Sequence, residues 1–576
     1  MKKTKNDKKI EKLKYTAKER LLISSLTSLT ISFIYILFGS IDIYANNYKE
    51  YLFSFSDFIL PLLGVFALCF VALTLILWIF KGTILNILSC FIFSVIVWGY
   101  VDTGIINKVD FFGGDASSEN NLIISLVVFI VLFYIFIIVS MKLGKKWKTA
   151  IVYLSILFIA MNAVTLISDF AKNNFIKPAN NNISVLSKKD LYTVSEKENV
   201  IIFLVDRLDN DYYEGVLERD PEFFNDLDGF TYYNNNISLY PRTFPSVTYM
   251  VTGERFDGDK SPVEYLNTAY SESLFLNDLK ANGYGVDVYG EPYYEYTDAK
   301  YMEDVVDNVE VVTEKTVNKK LILEYLVKLS ACRNISFLLM RVSYINQNLG
   351  ITSRLTTLDS ESGKFDCWED VIYKDLKENG LSFNEYEKNY KYIYLHGSHT
   401  PYILNENVEH ITEGDVVTQT MASFKVVKDY ISELKRLGVY DKTTIIICGD
   451  HGLDSSDVSL LTEWEEKGLG TPSTTACLYK PKTSQGTPLK ESSAPISEVN
   501  VIPTLVEDAN IETENDYGIS INDIENGATQ QREYIQLIYS MSSRKIGLAK
   551  FYVGDDSRDS SQWKYVETKQ TDFSWY

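Results

Sequence analysis

Hydrophobic and polar positions divide this chain into two unlike parts. Up to about residue 170 the apolar residues come in long blocks; beyond it they fall into short runs set among polar, Asn- and Tyr-rich stretches. Five blocks, Leu21–Tyr44, Asp57–Phe80, Thr83–Tyr100, Leu122–Met141 and Ala150–Phe170, are each long enough to cross a bilayer core of about 30 Å as a helix. Lys2 to Arg20, Lys81, and Lys142, Lys145, Lys146 and Lys148 then share the cytoplasmic side, and the Lys-poor loops Ala45–Ser56 and Val101–Asn121 lie outside. An odd number of spans delivers everything after Phe170 to the extracellular side. A cleaved signal peptide is a poor account of the first block, because four more follow it and no small-residue cleavage site is present. The blocks are almost free of Asp, Glu, Lys and Arg, which argues against a transporter.

The second part changes rhythm. Val200–Val205, Val286–Tyr289, Tyr392–Leu395 and Thr443–Cys448 are short runs of β-formers. Between them Glu272–Asn282 reads as an amphipathic helix, and Asp415–Leu437 as a longer one with Val417, Met421, Phe424, Val427, Ile431 and Leu434 at helical spacing and Gly438 as its stop. Strands alternating with helices predict a mostly parallel sheet sandwiched by helices, with ligands beyond the carboxyl ends of the strands. The expected organisation is a transmembrane bundle of five helices over 1–170, a polar linker over 171–195, an α/β domain over 196–530 and a small β-rich extension over 531–576. Residues from about Leu321 to Ser382 fit the alternation poorly and read as a helical insertion near the site mouth.

The net charge of -20 resides in the second part, since residues 1–20 are strongly basic. An acidic exterior excludes nucleic acid as a partner but not a phosphate-bearing substrate met by a local metal. Six cysteines lack metal or redox spacing, and pairing of Cys332 with Cys367 is left open.

The chemistry gathers at strand ends. Val200–Val205 ends in Asp206, and Thr443–Cys448 runs through Gly449 into Asp450-His451-Gly452. A carboxylate after an apolar strand needs a partner or a metal, although a helix cap also accounts for Asp206. Thr243, just before Pro245 at the start of a short helix, is a candidate nucleophile; a plain cap is the simpler alternative. Asp206, Thr243, Asp450 and His451 form a mixed oxygen/nitrogen set suited to Zn or Mn. His396 and His399 could bind substrate phosphate, protonate a leaving group or complete a second metal site; His410 has no evident role.

These residues, in this order, resemble the alkaline phosphatase superfamily, in particular its membrane-anchored branch of lipoteichoic acid synthases and phosphoethanolamine transferases. The resemblance covers about 196–510. It rests on Val205-Asp206, on Arg242-Thr243-Phe244-Pro245-Ser246 with Thr252-Gly253, on His396–Tyr402, on Gly449-Asp450-His451-Gly452 and on Ser497–Leu505. It implies that Thr243 is both nucleophile and metal ligand, that Asp206, Asp450 and His451 complete the ligand set, and that His399 contacts substrate or leaving group. Asp206 departs from the Glu usual in the transferases. Thr243 and Val247 break the formylglycine pattern of true sulfatases. One divalent metal is expected, with a second left open.

The resemblance implies a bacterial cell-membrane phosphotransferase. Its donor would be a membrane phospholipid, its acceptor a cell-surface glycan or glycolipid, and the transferred group phosphoglycerol or phosphoethanolamine, passing through a phosphothreonine-type intermediate. A phosphodiesterase or phosphatase using water, and a non-catalytic membrane-anchored binding module, remain as alternatives. The Asn/Lys/Tyr-rich composition suits a Gram-positive-like bacterium.

Overall fold

In the computed structural model the chain is described over residues 15–48, 51–102, 119–173, 175–176, 183–292, 295–312, 315–334, 355–358, 362–452, 474–539 and 545–574. The basic residues 1–14 and most of the loop after Val101 lie outside the described residues. The chain forms two compact units: residues 1–181 with 314–359, and residues 182–313 with 360–576.

The first unit is helical. Four stretches are long and apolar enough to cross a membrane: Ala17–Asn47, Phe55–Ile79, Gly82–Val101 and Ile123–Lys172. The first begins as α1 (Ala17–Ser32), capped by Thr16 in a capping box with Glu19, and continues through a π-helical turn, Phe33–Phe38, into Gly39–Asn47. α2 is Phe55–Ile79 and α3 is Gly82–Val101. The fourth stretch, 50 residues long, is too long for one crossing at 1.5 Å per residue. It is broken at Gly144–Lys146 into α4 (Glu119–Leu143) and α5 (Trp147–Lys172).

Polar contacts give the helix directions. Asn86 to Ser140 and Trp98 to Ser125 set α4 against α3, whereas Trp147 to Ser89 and Tyr100 to Asn162 run α5 along α3. Glu19 pairs with Lys148 at 2.5 Å and Ser155 reaches Leu26, so α1 also runs with α5. Arg20 and Trp78 tie the start of α1 to the end of α2. Successive helices therefore alternate in direction.

The helix Lys319–Asn334 groups with this unit, not with the α/β unit. Its Ile322 and Leu326 are buried with Ile41, Tyr44, Phe53 and Phe58, and Lys315 donates to the Leu52 carbonyl. The segment expected at a site mouth is thus split: 314–359 goes with the helices, while the rest supplies a helix of the α/β unit.

The second unit carries a seven-stranded sheet: β1 (Glu198–Val205), β2 (Thr231–Ile237), β3 (Tyr284–Tyr289), β4 (Lys388–Leu395), β5 (Thr443–Cys448), β6 (Thr474–Lys480) and β7 (Lys490–Ser492). Their order is β7-β2-β6-β5-β1-β4-β3. β5, β1, β4 and β3 are parallel, and β6 is antiparallel to both its neighbours. Every residue of β3 and β5, and all but the first of β1 and β4, is buried. Alternate strand residues point to opposite faces, so the centre of the sheet is covered on both.

The helices used below are α6 (Asn210–Arg219), α7 (Thr243–Thr252), α8 (Glu369–Asn379) and α9 (Val416–Leu437). α9 starts where Asp415 accepts from the Thr418 N–H and stops at Gly438, φ 72°, as its pattern predicts. The stretch 183–195, polar enough to read as linker, adds short strands paired with Val309–Val312 and Ser382–Phe383. Beyond residue 531 three antiparallel strands form a separate sheet, Arg532–Tyr539, Lys545–Val553 and Trp563–Ser574. Cys367 is a free, buried thiol; the Cys332 side chain lies outside the described residues.

Candidate metal centre

Strand register brings the distant residues together. β5 pairs with β1 with Cys448 opposite Leu204, so two residues on, Asp450 is level with Asp206. β4 pairs with β1 with Leu395 opposite Val205, so His396 emerges beside Asp206. The Asp206 N–H still donates to the Leu395 carbonyl, and the Ser398 N–H returns to the Asp206 carbonyl. Gly397 lies between them at φ 70°; a Cβ there would sit 2.5 Å from the Asp206 carbonyl oxygen. Only glycine allows this approach.

Asp206, Asp450 and His451 are 5, 0 and 8% exposed, and one ligand atom from each lies within 4.8 Å of the others. Each carboxylate has one oxygen held. Tyr394 donates to Asp206 Oδ2 at 2.6 Å, and the Arg207 N–H donates to Asp450 Oδ1 at 2.9 Å. The other two, Asp206 Oδ1 and Asp450 Oδ2, have no hydrogen-bond partner among the described residues. They are also the oxygens nearest His451 Nε2, at 3.5 and 3.7 Å. His451 Nδ1 lies 3.0 Å from the Gly452 carbonyl. A carbonyl only accepts, so Nδ1 carries a proton and Nε2, facing the carboxylates, is the nitrogen placed to bind a metal. Burial first, and the Asp450 carboxylate second, push Asp206 well above the ordinary carboxylate range. Two bare buried oxygens and a bare imidazole nitrogen meeting at one place fit a divalent cation.

Thr243 is half-buried at the start of α7. Phe244 is extended (φ −88°, ψ 128°), so the regular helix begins after it. The Thr243 hydroxyl makes no hydrogen bond among the described residues. What ties its helix to the centre is Ser246, whose hydroxyl lies 2.6 Å from the Asp450 main-chain carbonyl. Asp206, Asp450 and His451 are thus in mutual reach, with Thr243 three residues before the residue touching Asp450.

No protein-family profile and no curated protein matches the sequence. Solved structures of the alkaline phosphatase superfamily are similar to this chain. They include the lipoteichoic acid synthase LtaP from Listeria monocytogenes, 13% identical, TM-score 0.35, covering 65% of this chain and 85% of that one. A protein in the alkaline phosphatase superfamily from Vibrio parahaemolyticus is 13% identical, TM-score 0.35, covering 68% and 86%. The phosphonate monoester hydrolase SpPMH from Silicibacter pomeroyi is 12% identical, TM-score 0.35, covering 62% and 87%.

His396 and His399 differ in kind. His396 is 7% exposed and stacks on Trp368 with centroids 4.0 Å apart, and its Nε2 has no partner. Burial, with His399 adding to it, pushes its pKa down to about 3. It is therefore a neutral imidazole at physiological pH, which does not suit a cationic phosphate clamp. His399 is half-exposed, and its Nδ1 lies 2.7 Å from the Thr400 carbonyl, leaving Nε2 free. His410 pairs with Asp370 at the surface.

Three buried acids were given no role from the sequence, although Glu498 lies in the Ser497–Leu505 stretch. Glu369, at the head of α8, accepts from the Gly397 N–H at 2.7 Å and the Ser423 hydroxyl at 2.8 Å, holding the His396–His399 loop; burial pushes it up to about 7. Glu295 is fully buried, and burial pushes it well up, with Glu291, Asp450 and Asp206 adding to the shift. Glu498 contacts Ser246. A second group, Glu291, Asp366 and Cys367, also brings ligand atoms within 4.8 Å. Burial and the neighbouring acids push the Cys367 thiol well up, so without a metal it is an S–H.

Proposed function

We propose that this chain is a metal-dependent membrane phosphotransferase. In this reading it moves a phosphoglycerol or phosphoethanolamine group from a membrane phospholipid to a cell-surface glycan or glycolipid. The observation that carries the proposal is the convergence on His451 Nε2 of Asp206 Oδ1 and Asp450 Oδ2, buried and without hydrogen-bond partners among the described residues, beside the helix that begins at Thr243. A non-catalytic module has no reason to bury two bare carboxylate oxygens.

A divalent ion, Mn or Zn, held by Asp206, Asp450 and His451 with Thr243 as fourth ligand, would serve as a Lewis acid and lower the pKa of the threonine hydroxyl. The chain's own residues do the rest. Thr243 Oγ loses its proton and bonds to the phosphorus of the lipid phosphodiester, and the bond from phosphorus to the diacylglycerol oxygen breaks. His399, whose Nε2 is not engaged by the Thr400 carbonyl, takes the proton that Thr243 gives up and passes it to that oxygen. The acceptor hydroxyl then gives its proton to His399 Nε2 and bonds to phosphorus, the bond to Thr243 Oγ breaks, and Thr243 takes that proton back. His396, neutral and braced on Trp368, orients substrate. Tyr394 and the Arg207 N–H hold the two carboxylates in place.

The alternating helices support five crossings, with the Lys-rich turn at Gly144–Lys146 on the same side as the start of α1. The amino terminus is then cytoplasmic and the α/β unit extracellular, at the surface of the membrane that supplies the donor.

The test is radiolabelled phospholipid presented in vesicles to the full chain with Mn²⁺ or Zn²⁺. Label in glycan or glycolipid supports transfer. Free glycerol phosphate or ethanolamine phosphate makes the protein a hydrolase. No release from any lipid, with metal bound, contradicts the enzymatic reading.

A further inference from the structure

Glu498, in the short turn Glu498–Asn500, is 4% exposed. Its Oε2 accepts from the Leu239 N–H at 2.7 Å and lies 2.8 Å from the Ser246 hydroxyl. The same hydroxyl lies 2.6 Å from the Asp450 main-chain carbonyl. Two hydrogen bonds thus meet at one hydroxyl that has one proton. The Asp450 carbonyl can only accept, so the Ser246 proton goes there. The contact between Ser246 and Glu498 then needs a second proton, and Glu498 is the group able to carry it.

We propose that Glu498 is a positioning residue of the metal centre, held as the neutral carboxylic acid. The line from Glu498 through Ser246 to the Asp450 carbonyl clamps the Asp450-His451 turn onto the helix that carries Thr243. This rests on the reading of the centre given above. An ionised Glu498 would put an acceptor against the Ser246 oxygen and a further negative charge near Asp450.

The surroundings agree. Glu498 Oε1 has no hydrogen-bond partner, which is costly for a buried carboxylate and far less so for a neutral acid. The charged and titratable groups facing Glu498 are Asp450 and Arg255, together with Tyr240, Tyr249, Tyr265 and Cys448. Burial pushes the carboxyl up to about 8, with Asp450 adding, against the Leu239 and Ser246 hydrogen bonds and Arg255, which pull it down. Glutamine does not replace the acid, because one amide atom cannot both accept from Leu239 and donate to Ser246.

The test is infrared difference spectroscopy of the detergent-solubilised full chain, wild type against E498Q, at neutral pH, paired with Mn²⁺ titration. The expected result is the carbonyl stretch of a protonated carboxylic acid that E498Q removes, with Mn²⁺ affinity weakened about 10–100-fold in E498Q and in S246A. S246A deletes one hydroxyl and covers the case in which E498Q does not fold. A carboxylate band in place of the acid band, or wild-type Mn²⁺ affinity in folded S246A, overturns the proposal. The acid band with no Mn²⁺ binding in the wild type instead contradicts the reading of the centre, and the clamp falls with it.

Discussion

Asp206 and Asp450 stand level at the ends of neighbouring parallel strands, each with one oxygen hydrogen-bonded and the other bare. With ligand oxygens within 4.8 Å, two ionised carboxylates would repel by roughly 3–4 kcal/mol even at an effective dielectric of about 20. His451 Nε2 offers a lone pair to both. With both acids ionised the arrangement is disfavoured empty, and one divalent cation would relieve it.

Tyr394 supports this arrangement from below. Tyr394→Phe removes the one hydrogen bond to Asp206 Oδ2 and little volume. Metal affinity is expected to fall about 10–100-fold with the fold intact. Calorimetric titration with Mn²⁺ or Zn²⁺ checks it; unchanged affinity contradicts the role given to Tyr394.

Gly397→Ala tests the backbone beside Asp206. An alanine at φ 70° is strained by about 1 kcal/mol, and its Cβ meets the Asp206 main chain. Because that contact is with backbone, the loop or Asp206 must move. Lower metal affinity and a lower thermal midpoint are both expected, whereas Gly438→Ala, with open space around it, should lower only the midpoint.

Stability of the metal-free protein should fall as pH rises. Glu369 has its folded pKa raised from 4.5 to about 7, so its contribution is full below the unfolded value and is lost as pH climbs through about 7. The loss is on the order of 3 kcal/mol. Thermal unfolding in chelator across this range checks it, and Glu369→Gln should flatten that part of the curve. A curve for Glu369→Gln as steep as wild type contradicts the assignment.

Five crossings put residue 144 and the α/β unit on opposite sides. A cysteine at Gly144, in a background lacking Cys69 and Cys90, should resist a membrane-impermeant thiol reagent in intact cells, and one at exposed Glu413 should react. Labelling of both, or of neither, contradicts the topology.

The convergence of Asp206 with Asp450 and His451 was legible because continuous apolar runs mark buried parallel strands, so these residues had to emerge at strand ends. The Asp415–Gly438 helix was legible from cap, period and stop together. The burial of Glu295, Glu369 and Glu498 was not: a single Glu outside an apolar strand looks like any solvated acid, and only the folded chain removes the water. The helix Lys319–Asn334 was visible as a helix, but nothing in its pattern says that Ile322 and Leu326 pack against Tyr44 and Phe58. The third strand of the final sheet, Trp563–Ser574, was missed because its polar residues leave no apolar alternation.

The most direct test is metal content of the purified full chain, measured with titration of Mn²⁺ and Zn²⁺ into chelator-treated protein. One divalent ion per centre is expected, lost in Asp206→Ala, Asp450→Ala and His451→Ala, retained more weakly in Thr243→Ala, and weakened as acid protonates Asp206. Wild-type metal content in folded Asp450→Ala or His451→Ala would contradict the account.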